Sequence, residues 1–261
     1  MNETLRDMRR LVIEGAHNLR DLGGYHTRDG DLTPWRRFLR ADSPHRMTRA
    51  GVERLEAEGL TTVVDLRTEA ELAAMPNPFA ARDDVTYLHQ PVFQDLAPLN
   101  LASIDFDGGD PLLDFYRDAL DNRHEALREI LILIAGVPEG AVMFHCTVGK
   151  DRTGIVAALL LGLAEVDPED IVADYVMTGP LIRPLVTEFL AQARNPEDRD
   201  KHARLLSAPA ATMQAALGHI ETRYGSAAGY LRHIGVPAGD VSALLDRLRG
   251  AMPAPTVRPG I

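Results

Sequence analysis

The sequence predicts an α/β domain. Short apolar or β-branched runs, TTVVDL at 61–66 and AVMFH at 141–145, read as buried strands in the first half. Helical patterning lies between and after them, and the chain beyond residue 153 reads as helices joined by short connections. The elements follow in order. LVI at 11–13 and RFLRA at 37–41 are short strand candidates, separated by Gly23, Gly24 and the Asp29-Gly30 turn signal. A helix over about 49–58 puts Val52 and Leu55 inward and stops at Gly59. After TTVVDL, Thr68 and Glu71 form the T-x-x-E pattern of a capping box. The helix they open is short, because Pro76 and Pro78 follow.

VTYLHQPV, 85–92, reads as another strand, and 93–110 as a long loop with Pro98, Gly108 and Gly109. Asp110-Pro111 opens a helical pattern that reaches Ala135 with a bend near Asn122. TGIVAALLLGLA, 153–164, is a very apolar helix. Asp167-Pro168 starts the next helix, Gly179-Pro180 interrupts it, and another covers about 181–193. NPEDRDKH, 195–202, reads as a polar connection, and helices near 208–223, 226–233 and 238–250 complete the chain. The reading is one domain over residues 1–252, with extra helices about 181–205 and a flexible tail at 253–261.

Composition narrows the function. The 261 residues carry a formal charge of −10, so overall charge does not attract nucleic acid or an anionic membrane. No uncharged apolar run approaches the roughly 18 residues that a membrane span needs. No His/Cys cluster has zinc spacing among the nine histidines, so neither metal nor cofactor is expected. The single cysteine excludes an internal disulfide and fits a reducing compartment. The N-terminus shows no apolar signal core, so a cytoplasmic location, or export by a route without a classical signal, is expected. Nothing in the sequence sets the oligomeric state.

That cysteine lies in HCTVGKDRTG, 145–154, between an apolar strand and an apolar helix. Cys146 and Arg152 enclose five residues. In an open α/β sheet this junction is a ligand site. The amides of Thr147, Val148, Gly149, Lys150, Asp151 and Arg152 are able to curl around one tetrahedral oxyanion, helped by the positive end of the helix. Arg152 adds a planar fork for two oxygens, and Gly149 eases close backbone approach. The same field favours a thiolate: a thiol normally titrates near ~8.5, and cationic surroundings lower this to roughly 3.5–7.5. The chemistry that follows is attack of Cys146 on phosphorus, then hydrolysis of the phosphocysteine, with Thr153 stabilising the departing sulfur. GKD is not a nucleotide-binding loop, since Phe144 and Asp151 stand where that motif needs Gly and Ser or Thr.

HCTVGKDRTG resembles the HCxxGxxRT/S signature of cysteine-dependent tyrosine phosphatases. The GKDRTG variant is similar to that of a bacterial tyrosine/lipid phosphatase subfamily. NLRDLGGY at 18–25, DLRTEAE at 65–71 and YGSAAGYLRHIGV at 224–236 resemble further motifs of that subfamily. The resemblance implies a cysteine-phosphatase fold with a central, mostly parallel sheet flanked by helices, and assigns the helices near 181–205 to a lid. It implies a phosphorylated protein or phosphoinositide as substrate, inorganic phosphate as product, and a supporting role for His145 in orienting the loop. It also points to Asp151 as the general acid. An acid beside a phosphate dianion is repelled and its pKa rises, which suits proton donation. The competing reading pairs Asp151 with Lys150 or Arg20 to shape the loop. Asp95 is the alternative acid, because the family's WPD loop is absent and the sole tryptophan, Trp35, precedes Arg36. Asp105, Asp107 and Asp110 are weaker candidates.

A lysine at position 150 resembles phosphoinositide phosphatases and reads as a contact to phosphate or a second anionic group, or else as a solvent-facing side chain. Arg67 either reaches the sheet edge near Cys146 or salt-bridges a surface carboxylate. Asn18, Arg20 and Asp21 read as braces for the loop rather than substrate contacts. The enzyme reading is a tyrosine phosphatase with dual or phosphoinositide specificity open. Its rivals are a phospho-binding module without turnover and a lipid or inositol phosphate phosphatase.

Overall fold

The computed structural model describes residues 7–93 and 111–250. Five strands form one sheet: β1 (Arg20–Asp21), β2 (Phe38–Ala41), β3 (Leu60–Asp65), β4 (Thr86–His89) and β5 (Ala141–His145), in the order β1-β2-β5-β3-β4. β1 runs antiparallel to β2, and every other pairing is parallel. The central strand β5 is buried throughout, as expected of a parallel sheet covered on both faces. Its side chains alternate. Val142 and Phe144 join the larger apolar cluster, while Ala141 and Met143 join a smaller one.

The smaller cluster is closed by α1 (Arg49–Ala57), whose Val52 and Leu55 face inward. On the opposite face pack α3 (Pro111–Asn122) and α4 (His124–Ala135), the two halves of the pattern that bends after Asn122. Beside them lies α5 (Asp151–Leu163), buried on nearly all sides. Around α5 sit α6 (Pro168–Val176), α10 (Ala210–Tyr224), α11 (Ala227–His233) and α12 (Ala238–Arg249). The short α2 (Glu69–Ala74) carries the full capping box of Thr68 and Glu71.

Two local expectations fail. LVI at 11–13 forms no strand: Leu11 and Ile13 are buried as an irregular segment, with Leu11 N donating to Leu19 O at 3.2 Å. NPEDRDKH is helical, not a connection. After the one-turn α7 (Thr178–Leu181) and α8 (Arg183–Ala191), it begins α9 (Pro196–Leu206). Asn195 caps the Asp198 amide at 2.8 Å, Pro196 takes the first turn, and Lys201 pairs with Glu197 at 2.7 Å. Polarity misled the sequence reading because α9 buries none of its residues, so it has no apolar stripe to detect. The tail at 253–261 and the loop 94–110 lie outside the described residues.

Parallel register decides what meets at the C-terminal sheet edge. His145 stands opposite Ala41 on one side and Asp65 on the other. The segments Asp42-Ser43, Leu66-Arg67 and Cys146-Thr147 therefore leave the sheet side by side, as ligand-binding crevices in such sheets do.

Candidate active site

The loop from Cys146 to Lys150 joins β5 to α5, and its two kinds of backbone group are treated differently. Each carbonyl has a protein partner. Cys146 O accepts from His145 Nδ1 at 3.1 Å, and Thr147 O from Ser43 N at 3.1 Å. Asn18 Nδ2 reaches Val148 O and Gly149 O, both at 3.0 Å. Arg40 donates to Gly149 O at 2.8 Å and Lys150 O at 3.4 Å, and Gly154 N also reaches Lys150 O at 2.8 Å. The amides from Thr147 to Thr153 find no acceptor among the described residues. In a trans peptide the C=O and N–H point in opposite directions, so carbonyls drawn outward leave the following amides aimed inward. These amides stand at the N-terminus of α5, where such an arrangement suits an anion. Gly149 sits at φ +71°, where a Cβ would lie 2.4 Å from Ala41 O, so only glycine fits.

Cys146, which begins this loop, is 3% exposed. The Arg152 guanidinium is held edge-on by Glu71, with NH1 to Oε2 at 2.6 Å and NH2 to Oε1 at 2.7 Å. It also lies near enough to Cys146 for a thiolate there to favour its charged form, in addition to the larger effect of Glu71's hydrogen bonds against burial. The Thr147 hydroxyl donates a short hydrogen bond to Glu71 Oε1. Glu71 thereby serves two structures: it completes the cap of α2 through Thr68 N at 2.9 Å and orients Arg152. Burial pushes its pKa up, but the hydrogen bonds and charge of Arg152 and the bonds from Thr147 and Thr68 outweigh this and hold it at about 2.

His145 is fully buried. Its Nε2 lies 2.8 Å from Asn77 Nδ2, and its Nδ1 lies 3.1 Å from the Cys146 carbonyl oxygen. Asp65 stands 3.4 Å from Nε2. Its carboxyl is held well below the ordinary range, since His145 and Arg67 outweigh the opposing effect of burial. Lys150, 1% exposed, turns away from solvent: Nζ donates to Leu205 O at 2.6 Å and Ser207 O at 2.8 Å and lies 3.1 Å from Asp151 Oδ1. Its ammonium thus sits at the C-terminus of α9, where unpaired carbonyls and the helix dipole favour a cation. Asp151 opens α5 with Oδ1 buried and without a hydrogen bond, and the buried Thr153 hydroxyl likewise has no partner among the described residues.

A buried thiol, a run of amides without protein acceptors and an oriented guanidinium thus meet at one loop. A family model described as the tyrosine phosphatase family matches residues 11–250. The chain belongs to that family. Its members are phosphoric monoester hydrolases, so this is an enzyme of that class. A tyrosine-protein phosphatase of Nostoc commune is 31% identical over 81% of this chain and 74% of its own. The triple specificity protein phosphatase PtpB of Mycobacterium tuberculosis is 31% identical over 92% of this chain and 98% of its own. The crystal structure of P. aeruginosa TpbA aligns over 70% of this chain and 86% of its own, at 17% identity and a TM-score of 0.29, too low to bear on the site.

The remaining family-motif residues divide into those that touch the loop and those that do not. Asn18 touches it directly. Arg20 stands one step behind, donating to Asn18 O at 3.2 Å and to Asp174 Oδ1 at 2.8 Å. Asp21 does not touch it: it accepts from Gly23 N at 2.9 Å and from Arg36, and so shapes the turn at 21–36. Arg67 meets Asp65 at 2.7 Å, and that carboxylate is fully buried rather than on the surface. Its other bonds run to Ser43 Oγ and Met75 O, so its guanidinium braces the neighbouring segments. The solvent-facing reading of Lys150 fails, since its stem and ammonium are enclosed. Asp95, with Asp105, Asp107 and Asp110, lies outside the described residues.

Sequence reasoning missed Glu71, Arg40 and Asp174 as parts of the site. Glu71 was visible only as a capping residue, because its second partner is 81 positions away. Arg40 had a signal: a cation at an inward register of an otherwise apolar strand needs a buried partner. Asp174 is that partner.

Proposed function

We propose that this protein hydrolyses phosphotyrosine in proteins through a phosphocysteine intermediate. The observation that supports this most strongly is the backbone asymmetry around Cys146, with outward carbonyls held and inward amides left for a ligand. In the first step Cys146 Sγ forms a bond to phosphorus as the bond to the leaving oxygen breaks. Arg152 and the amides of Thr147, Val148, Gly149, Lys150, Asp151 and Arg152 hold the other three oxygens. Asp151 gives its proton to the leaving oxygen. In the second step a water oxygen bonds to phosphorus, the S–P bond breaks, and Asp151 recovers a proton from the water. Thr153 donates to the departing thiolate. His145 and Asn18 hold the loop from outside.

Lys150 supports a second, wider reading. A cation inside the loop suits a substrate with a further anionic group, and one relative is named a triple-specificity phosphatase. Its ammonium is taken by the carbonyls at the end of α9, so phosphoserine, phosphothreonine or phosphoinositide turnover through Lys150 requires those helices to shift. A vanadate-sensitive nitrophenyl phosphate assay, run with a chelator, tests the core of the proposal. Wild type is expected to turn over and Cys146→Ser to be inactive while still binding vanadate or phosphate. Full activity in Cys146→Ser would refute the mechanism.

A further inference from the structure

An anion nest works only if its outer face is held, and part of that hold comes from a residue on β2. Arg40 is 1% exposed. Its NH2 bridges Gly149 O and Lys150 O, at 2.8 and 3.4 Å. Those carbonyls belong to the peptides whose N–H groups are on Lys150 and Asp151, so this shared donor steadies the plane of both. From the other side Arg40 NH1 makes a short bond to Asp174 Oδ2 on α6. Asp174 also takes Arg20 Nε at 2.8 Å and Tyr25 Oη at 3.0 Å.

The charges beneath the loop are unequal. Arg152 is matched by Glu71, Lys150 by Asp151 and Arg67 by Asp65. Arg20 and Arg40 share the one carboxylate of Asp174. Burial and the repulsion of Arg20 lower the pKa of Arg40, and Asp174 opposes them. Tyr116 on α3 also faces this guanidinium electrostatically. Asp42, buried next to Arg40 in sequence, turns to the amides of His17 and Asn18. His145 faces Asp65 on the far side of the loop.

We infer that Arg40 is a positioning residue for the phosphate loop, pinning the carbonyls of Gly149 and Lys150 and so aiming the amides that follow them, with its charge shared against Asp174 beneath the loop. This rests on the reading of Cys146 as nucleophile. Arg40 does not touch substrate; it acts through the loop. Because Cys146 is the only cysteine, iodoacetamide alkylation against pH reports the thiolate at one site.

The test compares the full chain with Arg40→Met, Arg40→Lys and Arg40→Gln, using thermal melting, the alkylation profile and orthovanadate affinity. Arg40→Met is expected to weaken vanadate binding about tenfold or more and to move the alkylation midpoint up by about one pH unit. Arg40→Lys should restore the midpoint and recover only part of the vanadate affinity, since a lysine has one nitrogen where Arg40 uses NH2 for the loop carbonyls and NH1 for Asp174. An Arg40→Met protein with a lowered melting temperature but wild-type vanadate affinity and midpoint would overturn the inference. If that variant does not fold, Arg40→Gln is judged on the same two readings. Failure of the underlying reading looks different: undiminished turnover in Cys146→Ser discards the nucleophile, whereas an unchanged loop in Arg40 variants of an active enzyme discards only Arg40.

Discussion

Asp151 carries the sharpest prediction at the scale of single residues. Its Oδ1 is buried, makes no hydrogen bond, and has the Lys150 ammonium 3.1 Å away. A bound phosphate dianion would add a negative charge to this neighbourhood, which favours the protonated acid. Asp151→Asn should therefore slow turnover of a phosphate ester with a poor leaving group by about 10²–10⁴-fold, the ordinary range for general acid catalysis. Nitrophenyl phosphate, whose leaving group needs less help, should lose far less. Equal losses on both substrates would make Asp151 a partner of Lys150 and nothing more. Glu71, the deeper of the two carboxylates, is excluded from that role. Glu71 is locked by a bidentate guanidinium and two further donors, so it cannot serve as a proton donor near neutral pH.

Among the elements, the pair α8 and α9 is the least anchored. α8 buries only Leu185, and α9 buries nothing. Their ties to the body include an exposed Arg46–Glu188 pair at 2.6 Å, worth little in water, and the two bonds from Lys150. A partly buried cation at a helix C-terminus contributes up to about 2 kcal/mol. Lys150→Met should then raise amide hydrogen exchange across Pro196–Leu206 by roughly tenfold or more, while exchange in β3 and β5 stays unchanged. Unaltered exchange in α9 would mean that Lys150 does not hold it. The same elements mark where sequence reading succeeded and stopped. TTVVDL, AVMFH and TGIVAALLLGLA were legible because burial on all sides leaves uninterrupted apolar runs. The helix α9 was not, because none of its residues is buried and its contact with Lys150 comes from a distant part of the chain. Cys146 and Arg152 were legible from local spacing. Glu71, Arg40 and Asp174 reach the site through tertiary pairing, for which a single sequence carries no spacing rule.

Taken whole, the molecule concentrates paired charges at one sheet edge, and this fixes its response to acid. Glu71, Asp65 and Asp174 all have pKa values below the ordinary carboxylate range in the folded state. A depressed carboxyl lends stability that is complete above its unfolded pKa and lost as pH falls through its folded one. For Glu71 that window runs from its ordinary 4.5 down to about 2. Asp21 and Asp42 shift the other way, because burial raises them. Glu71→Gln should therefore melt at a lower temperature than wild type at pH 7, and the gap should narrow as pH falls from about 5 towards 2. Replacing it with alanine leaves Arg152 buried without its partner and should cost about 3–5 kcal/mol. A Glu71→Gln gap that stays constant with pH would show that the carboxylate's charge is not what holds Arg152.

The central claim, that the sulfur of Cys146 accepts the phosphoryl group, is tested most directly by quenching the enzyme in acid during turnover and weighing its peptides. One added phosphoryl group is expected on the peptide containing Cys146, absent when vanadate is present or serine replaces the cysteine. Continued turnover with no phosphoryl group on that peptide would contradict it.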